Sequence, residues 1–140
     1  MRTSTKAFTL LEILIVLAII GLLIGVTISN TDKIFGRSQE AITRVFVRDS
    51  IKTSLTRYRI DMGNYPGTAE GLAALVTAPS NNANQWHGPY IDSTAGRLPV
   101  DPWGETYQYR SPGTKNKDSY DVYSKGPDKT EGTDDDIGNW

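Results

Sequence analysis

The sequence predicts an α+β protein: one long N-terminal helix packed on a small antiparallel β-sheet, followed by an acidic, turn-rich loop. Three observations carry this. No proline interrupts residues 8–62, a stretch that is first continuously apolar and then apolar at helical spacing. Two short segments, 105–110 and 119–124, alternate in the manner of half-buried strands. Turns containing Gly and Pro bound each of these segments.

Residues 8–28, FTLLEILIVLAIIGLLIGVTI, are almost wholly apolar. At about 1.5 Å per residue, a helix of this length spans roughly the 30 Å hydrocarbon layer of a bilayer. Arg2 and Lys6 precede it with no acid between them, which predicts a cytoplasmic N-terminus and an outward-facing remainder. An ordinary secretory signal would end in a small-x-small cleavage site. Here the run passes directly into Ser29, Asn30, Thr31 and Asp32. Glu12 breaks the apolar run. A carboxylate in that position either snorkels to the headgroups or finds a cation, and no Lys or Arg lies between Phe8 and Asn30. If the chain is cut before Phe8, the new α-amine of one copy can meet the Glu12 of another copy shifted along the axis. Such a pair would set the register of a homopolymer.

From Lys33 to Met62 the helix becomes amphipathic, with Val47, Ile51, Leu55, Tyr58 and Met62 on one face. Gly21, Gly25 and Gly36 each cost up to about 1 kcal/mol relative to Ala, so a bend or local melting is expected between Gly21 and Gly36. Gly63 or Asn64 supplies a left-handed cap, and Pro66 prevents continuation. Residues 70–76 read as a short second helix through Leu72, Leu75 and Val76, and 78–88 as a polar loop. In the first strand Tyr107 and Tyr109 share a face. In the second, Tyr120 and Val122 face one way, Asp121 and Tyr123 the other. The intervening 113–118 reads as hairpin-like, and PVDPWG at 99–104, before the first strand, as a structural turn with Trp103 plugging the core.

The 140 residues include 15 basic and 16 acidic side chains, for a net charge of -1. A near-zero charge argues against a nucleic-acid partner. There is no cysteine, which excludes disulfides, thiolate nucleophiles and Cys-based zinc sites; the single histidine, His87, argues against a His-dependent triad or a multi-His metal site. The charges are segregated. Arg44, Arg48 and Lys52 recur at every fourth residue and line one helical stripe. That stripe is either a solvated face or a dock for the acidic loop of a neighbouring subunit. Asp128, Glu131, Asp134, Asp135 and Asp136 crowd one loop with Gly126, Pro127 and Gly132. The spacing departs from the EF-hand pattern, because Thr130 and Gly132 stand where ligands should be. On spacing alone the loop is a solvated acidic tail or a site for a hard cation, since calcium accepts irregular sets of oxygens.

Two sets of residues carry a family resemblance. KAFTLLEILIVLAIIGLLIG resembles the class III signal of type IV pilin-like proteins. MGNYPGTAEGL, LPVDPWGETYQY and YDVYSKGPDKTEGTDDDIGNW resemble the major pseudopilins of type II secretion systems, and the likeness extends over nearly the whole chain. A type IV pilin would more often carry a C-terminal cysteine pair. The resemblance implies a pilin-like fold divided into a cleaved leader (1–7), a transmembrane and filament-core helix (8–30) and a periplasmic globular domain (31–140). It implies that a prepilin peptidase cuts between Ala7 and Phe8 and methylates Phe8, with Ala7 standing where the pattern usually has Gly. Glu12 would be the assembly glutamate. The C-terminal loop would bind calcium through Asp128 and Asp135 first, with Asp136, Ser124 and the Lys125 carbonyl completing the set. Lys129 and Asp134 have no role in it. The subunit would sit in the inner membrane by a single pass, with its N-terminus cytoplasmic. It would assemble as a homopolymer with an inner-membrane platform and minor pseudopilins, and drive folded proteins through an outer-membrane secretin. It would be structural rather than enzymatic. The alternatives are a type IV pilin or a minor pseudopilin, and, from another class, an anchored enzyme or receptor using the Trp86–His87 loop.

Overall fold

The computed structural model describes residues 9–80, 82–93 and 95–140, with side chains described outside 26–34. Ala7 and Phe8, where cleavage is expected, lie outside the described residues. The contacts divide the chain into two units, Met1–Ser38 and Gln39–Trp140. Among the described side chains, the first fully buried one in the helix is Thr43, in the second unit.

Helix α1 spans Leu10–Val45. Its start is capped locally: the Glu12 N–H lies 3.2 Å from Thr9 Oγ1 and 3.1 Å from the Thr9 carbonyl. Thr9-x-x-Glu12 has the capping-box spacing, and an acid in the first turn complements the helix dipole. Within the first unit, every large apolar side chain from Leu10 to Ile24 is exposed, from 45% at Ile20 to 83% at Leu10. Among the described residues no helix is long and apolar enough to cross a membrane. The described apolar side chains end at Gly25, short of the Ile28 that closes the run in sequence. The α-helix is continuous through Gly21, Gly25 and Gly36, so local melting there is not observed. Each missing side chain is a small local cost, and the cooperative hydrogen bonding of a 36-residue helix absorbs it.

In the second unit, the departure from α geometry comes instead at Phe46–Ser50. This is a π-helical turn in which the Ile51 N–H bonds to the Phe46 carbonyl. Helix α2 follows, Ile51–Met62. The turn has a packing reason. Thr43, Val47, Ile51 and Leu55 are all buried and spaced by four. Four residues of ideal α-helix advance roughly 40° past a full turn, so three such steps would swing Leu55 away from the face of Thr43. A wider π turn offsets that drift. Gly63 then caps α2 at φ 83, its N–H donating to the Arg59 carbonyl at 2.8 Å. Residues 70–76, read as a short second helix, form a 3-10 helix, Gly71–Leu75. Gly71 adopts φ 58, a conformation no α-helix interior accepts. Leu72, Ala74 and Leu75 are buried there nonetheless.

Three short antiparallel strands form one sheet in chain order: β1 (Gln108–Arg110), β2 (Asp121–Ser124) and β3 (Ile137–Gly138). Tyr109 pairs with Val122 and Ser124 with Ile137. The central strand is buried on both faces, Asp121 and Tyr123 as fully as Tyr120 and Val122. The core joins Val47, Ile51, Leu55 and Tyr58 to Leu75, Tyr90, Tyr107, Tyr120, Val122 and Ile137. Met62 and Trp103 pack against it half-buried, so Trp103 borders the core rather than filling it.

Candidate functional site

The acidic loop begins where β2 ends, and a buried relay fixes its start. Asp101 is 3% exposed. Its Oδ1 accepts the N–H groups of Trp103 (3.1 Å) and Glu105 (2.8 Å), and its Oδ2 accepts the Ser124 hydroxyl at 2.5 Å. Ser124 Oγ in turn accepts the Gly126 N–H at 3.1 Å. The turn at 99–104 is thereby locked to the loop. Gly126 adopts φ 68, and a Cβ there would lie 2.4 Å from the Asp135 carbonyl oxygen. The two ends of the loop therefore close on each other only because position 126 has no side chain.

Within the loop, most carboxylates are held by their own backbone. Asp128 Oδ1 accepts the Thr130 N–H (2.7 Å), Asp135 Oδ2 the Asp128 N–H (3.2 Å) and Asp136 Oδ2 the Gly132 N–H (2.7 Å). The Thr133 hydroxyl donates to Asp135 Oδ1 at 2.5 Å. This bond first, and the Asp128 amide after it, hold the Asp135 carboxyl below its usual range. Glu131 accepts the Tyr123 hydroxyl at 2.6 Å and lies 3.6 Å from Arg110. Burial, then this contact with Glu131, pushes the Tyr123 phenol up to about 12. Among the described residues, one side-chain atom is left over: Asp136 Oδ1 is buried without a hydrogen-bond partner.

The expected metal ligands thus fall into three groups. Asp128, Asp135 and Asp136 share one loop. Ser124 is fully buried in β2, its hydroxyl already bonded on both sides. Lys125 follows it, half-buried. Among the described residues no three Asp, Glu, His or Cys side chains converge as a metal site. A cation here would have to draw on backbone carbonyls as well as carboxylates.

Two organising carboxylates escaped the sequence reading. Asp101 is one; the Asp-Pro-Trp-Gly turn signal around it was visible, but its link to Ser124 was not. Asp121 is the other. It is 3% exposed and accepts the amides of Thr114 (2.5 Å), Lys115 (2.8 Å) and Asn116 (2.9 Å), with Asn116 Nδ2 at 3.0 Å. Burial alone would raise its pKa. The donors outweigh burial and lower it. Gly113 makes room, since a Cβ there would meet Asp121 Oδ1 at 2.5 Å.

The remaining features are resolved by their neighbours. Arg48 donates through Nε to the Gly138 carbonyl (3.4 Å) and through Nη2 to the Trp140 carbonyl (3.1 Å). Part of the basic stripe thus serves the chain's own fold. Trp86 Nε1 donates to the Ala74 carbonyl at 2.8 Å, and its ring meets Tyr90 edge-on. Tyr90 donates to Asp61 at 2.8 Å and accepts the His87 N–H at 2.9 Å. The Trp86–His87 segment is therefore a clasp on α2, with the His87 Nδ1 3.8 Å from Asp61 Oδ2.

Comparison with known proteins adds the family. Residues 33–140 match the family described as Type II secretion system (T2SS), protein G, and residues 2–28 match the prokaryotic N-terminal methylation motif. The chain is 41% identical over 137 aligned positions to type II secretion system core protein G of Pectobacterium carotovorum subsp. carotovorum, covering 96% of this chain and 84% of that protein. It is 42% identical over 147 positions to the core protein G of Vibrio cholerae serotype O1, covering 100% of this chain and 94% of that one. The crystal structure of the major pseudopilin from the type 2 secretion system of enterohaemorrhagic Escherichia coli aligns with a TM-score of 0.62 at 33% identity, covering 79% of this chain and 89% of that chain. Its fold is the pilin-like fold expected here. With relatives alike along almost the whole chain, and a family match that takes in the folded unit from α2 to the acidic loop, this chain belongs to the type II secretion system protein G family, the major pseudopilins.

Proposed function

We propose that this chain is a structural subunit, not an enzyme, and that copies of it polymerise into a periplasmic pseudopilus that drives folded proteins across the outer membrane. One observation carries the reading: the helical surface from Leu10 to Ile24 is apolar and exposed throughout, broken only by Glu12. A helix of that kind needs an apolar surrounding on every side. Lipid supplies it before assembly and the helices of other copies supply it afterwards. Both surroundings are dry, so extraction from one into the other is close to balanced. Before assembly the subunit spans the inner membrane once, with its N-terminus cytoplasmic and the folded unit periplasmic. A prepilin peptidase cuts between Ala7 and Phe8. The amine of Phe8 on one copy then pairs with Glu12 on the next and sets the register. An inner-membrane platform, minor pseudopilins and an outer-membrane secretin are the other partners.

Calcium fits the acidic loop. The buried, partnerless Asp136 Oδ1 is an acceptor that a hard cation satisfies. Asp128, Asp135, Asp136 and the Lys125 carbonyl would hold the ion, and Ser124 anchors the loop's start. The ion would supply positive charge to a loop dense in carboxylates and brace a domain that has no disulfides.

The test uses the full chain in a host with a prepilin peptidase and the export machinery. Mass spectrometry should find a mature chain beginning at methylated Phe8. Glu12→Leu should insert normally yet lower filament yield by about tenfold or more, because a buried charge is left unpaired. Copies that keep Met1, or unchanged yield with Glu12→Leu, would overturn the proposal.

A further inference from the structure

An open cleft of about 440 Å³ in the second unit separates the hairpin loop from the acidic loop. Arg110, Thr114, Tyr123, Glu131, Asp134 and Asp136 are among the residues that line it. Tyr123 stands on the central strand β2 and is 7% exposed. A phenol buried that deeply needs an acceptor for its O–H, and the acceptor is Glu131 Oε1 at 2.6 Å. Arg110 Nη2 lies 3.6 Å from the same oxygen, and Arg110 Nη1 donates to Thr114 Oγ1 at 2.8 Å. Glu131 is thereby tied to β1, to β2 and, through Arg110, to the hairpin loop.

The expected ligands are held differently. Among the described residues, the donors to Asp128, Asp135 and Asp136 all belong to the loop itself. Glu131 stands midway between Gly126 and Asp136, and its donors come from the sheet. The loop's ends already close on each other at Gly126 and Asp135. A tie at the middle removes much of the freedom that is left, because it fixes how the Asp128 side stands against the Asp135–Asp136 side. The two ties are unequal. The Arg110 and Glu131 side chains are 47% and 50% exposed, so their ion pair contributes little. The Tyr123 bond joins a buried donor to a charged acceptor, which is the stronger kind.

We propose that Glu131 is the strut of the calcium loop rather than one of its ligands, and that Tyr123 is the positioning residue that holds it. The inference rests on the calcium reading above and deepens it. A loop ordered before the ion arrives binds more tightly, because less ordering has to accompany binding. Partners that stand behind metal ligands in this way change metal affinity by about ten- to a hundredfold when removed.

The experiment titrates calcium chloride into the full chain in detergent, stripped of metal beforehand, and reads the dissociation constant by calorimetry. Tyr123→Phe removes one O–H and no charge, and should weaken binding by about tenfold. Glu131→Ala should weaken it by about the same factor. The two combined should lose no more than Glu131→Ala alone, because both cut one strut. Glu131→Gln still accepts the Tyr123 O–H and should stay within about threefold of the parent. Tyr123→Phe keeps the ring that meets Trp140, so its unfolding in chelator should remain cooperative. Should that variant nevertheless unfold, Glu131→Ala against Glu131→Gln tests the same strut from the exposed side. Parent affinity in a folded Tyr123→Phe chain, or additive losses in the double variant, overturns the strut. A loss with Glu131→Gln as large as that with Glu131→Ala makes Glu131 a ligand and also overturns it. If the parent chain binds no calcium, the calcium reading falls and takes this one with it. A parent that binds calcium beside unaffected variants sinks the strut alone.

Discussion

The loop 113–119 encloses one carboxylate, and the loop 126–136 carries five acids. Asp121 receives three successive backbone amides and the Asn116 side chain, so the chain itself supplies all the positive dipole its charge needs. The acidic loop satisfies its carboxylates one amide at a time and leaves Asp136 Oδ1 buried with none. Both loops need a glycine where a carboxylate or carbonyl presses on the backbone, Gly113 in the first and Gly126 in the second. The difference lies in donor supply. A loop that folds its amides inward onto one anion is complete on its own. A loop with more anions than inward amides is incomplete until an outside charge arrives.

Three measurements break or sharpen that contrast. The largest effect belongs to the self-sufficient loop. Asp121→Ala strands three amides and should destabilise the fold by about 3 kcal/mol, because hydrogen bonds to a charged group are the strong ones. Chemical denaturation measures this, and a change near zero would show that water replaces the carboxylate there. Next comes the ion. Chelation should lower the melting temperature of the parent chain. The stabilisation at stake is about 2.7 kcal/mol when free calcium stands at 100 times its dissociation constant. Asp136→Asn should abolish the response, whereas Asp121→Ala should keep it. An identical chelator response in both variants would dissolve the distinction between the loops.

The smallest effect is in acid. Asp121 has its pKa lowered in the folded state from an ordinary value of 3.8. Its contribution is therefore fully present above that value and is lost as pH falls through the lowered one. Asp135 shifts in the same direction, but it lies in a more open loop and adds less. Stability in urea should fall below pH about 4 in the parent and fall less in Asp121→Asn. Parallel pH profiles would remove Asp121 from acid unfolding.

The same contrast explains which features were readable in advance. The helical face of Val47, Ile51, Leu55 and Tyr58, the cap at Gly63 and the pairing of the Tyr109 and Val122 segments all follow from spacing within a few residues. The π turn at Phe46–Ser50 did not, because it answers to the sheet packed against the helix rather than to any residue inside it. Strand β3 is two residues long and offers no alternation to detect. Asp121 looked like an ordinary polar position in an alternating strand. Its burial depends on a hairpin loop curling back over it.

Local rules of chain geometry, acting on residue order alone, settle the apolar rod with Glu12 near its start, the amphipathic continuation, the cysteine-free composition and the crowding of acids near Trp140. Distant partners settle the rest: Asp101 clamping Ser124, Arg48 pinned to the Gly138 and Trp140 carbonyls, and the one buried oxygen of Asp136 with nothing to bind. Each of these pairs residues that lie tens of positions apart, or records a donor that fails to arrive. Such arrangements exist only once helix, sheet and loops have closed on one another, because burial is what turns a polar side chain from neutral decoration into a group that must find a partner.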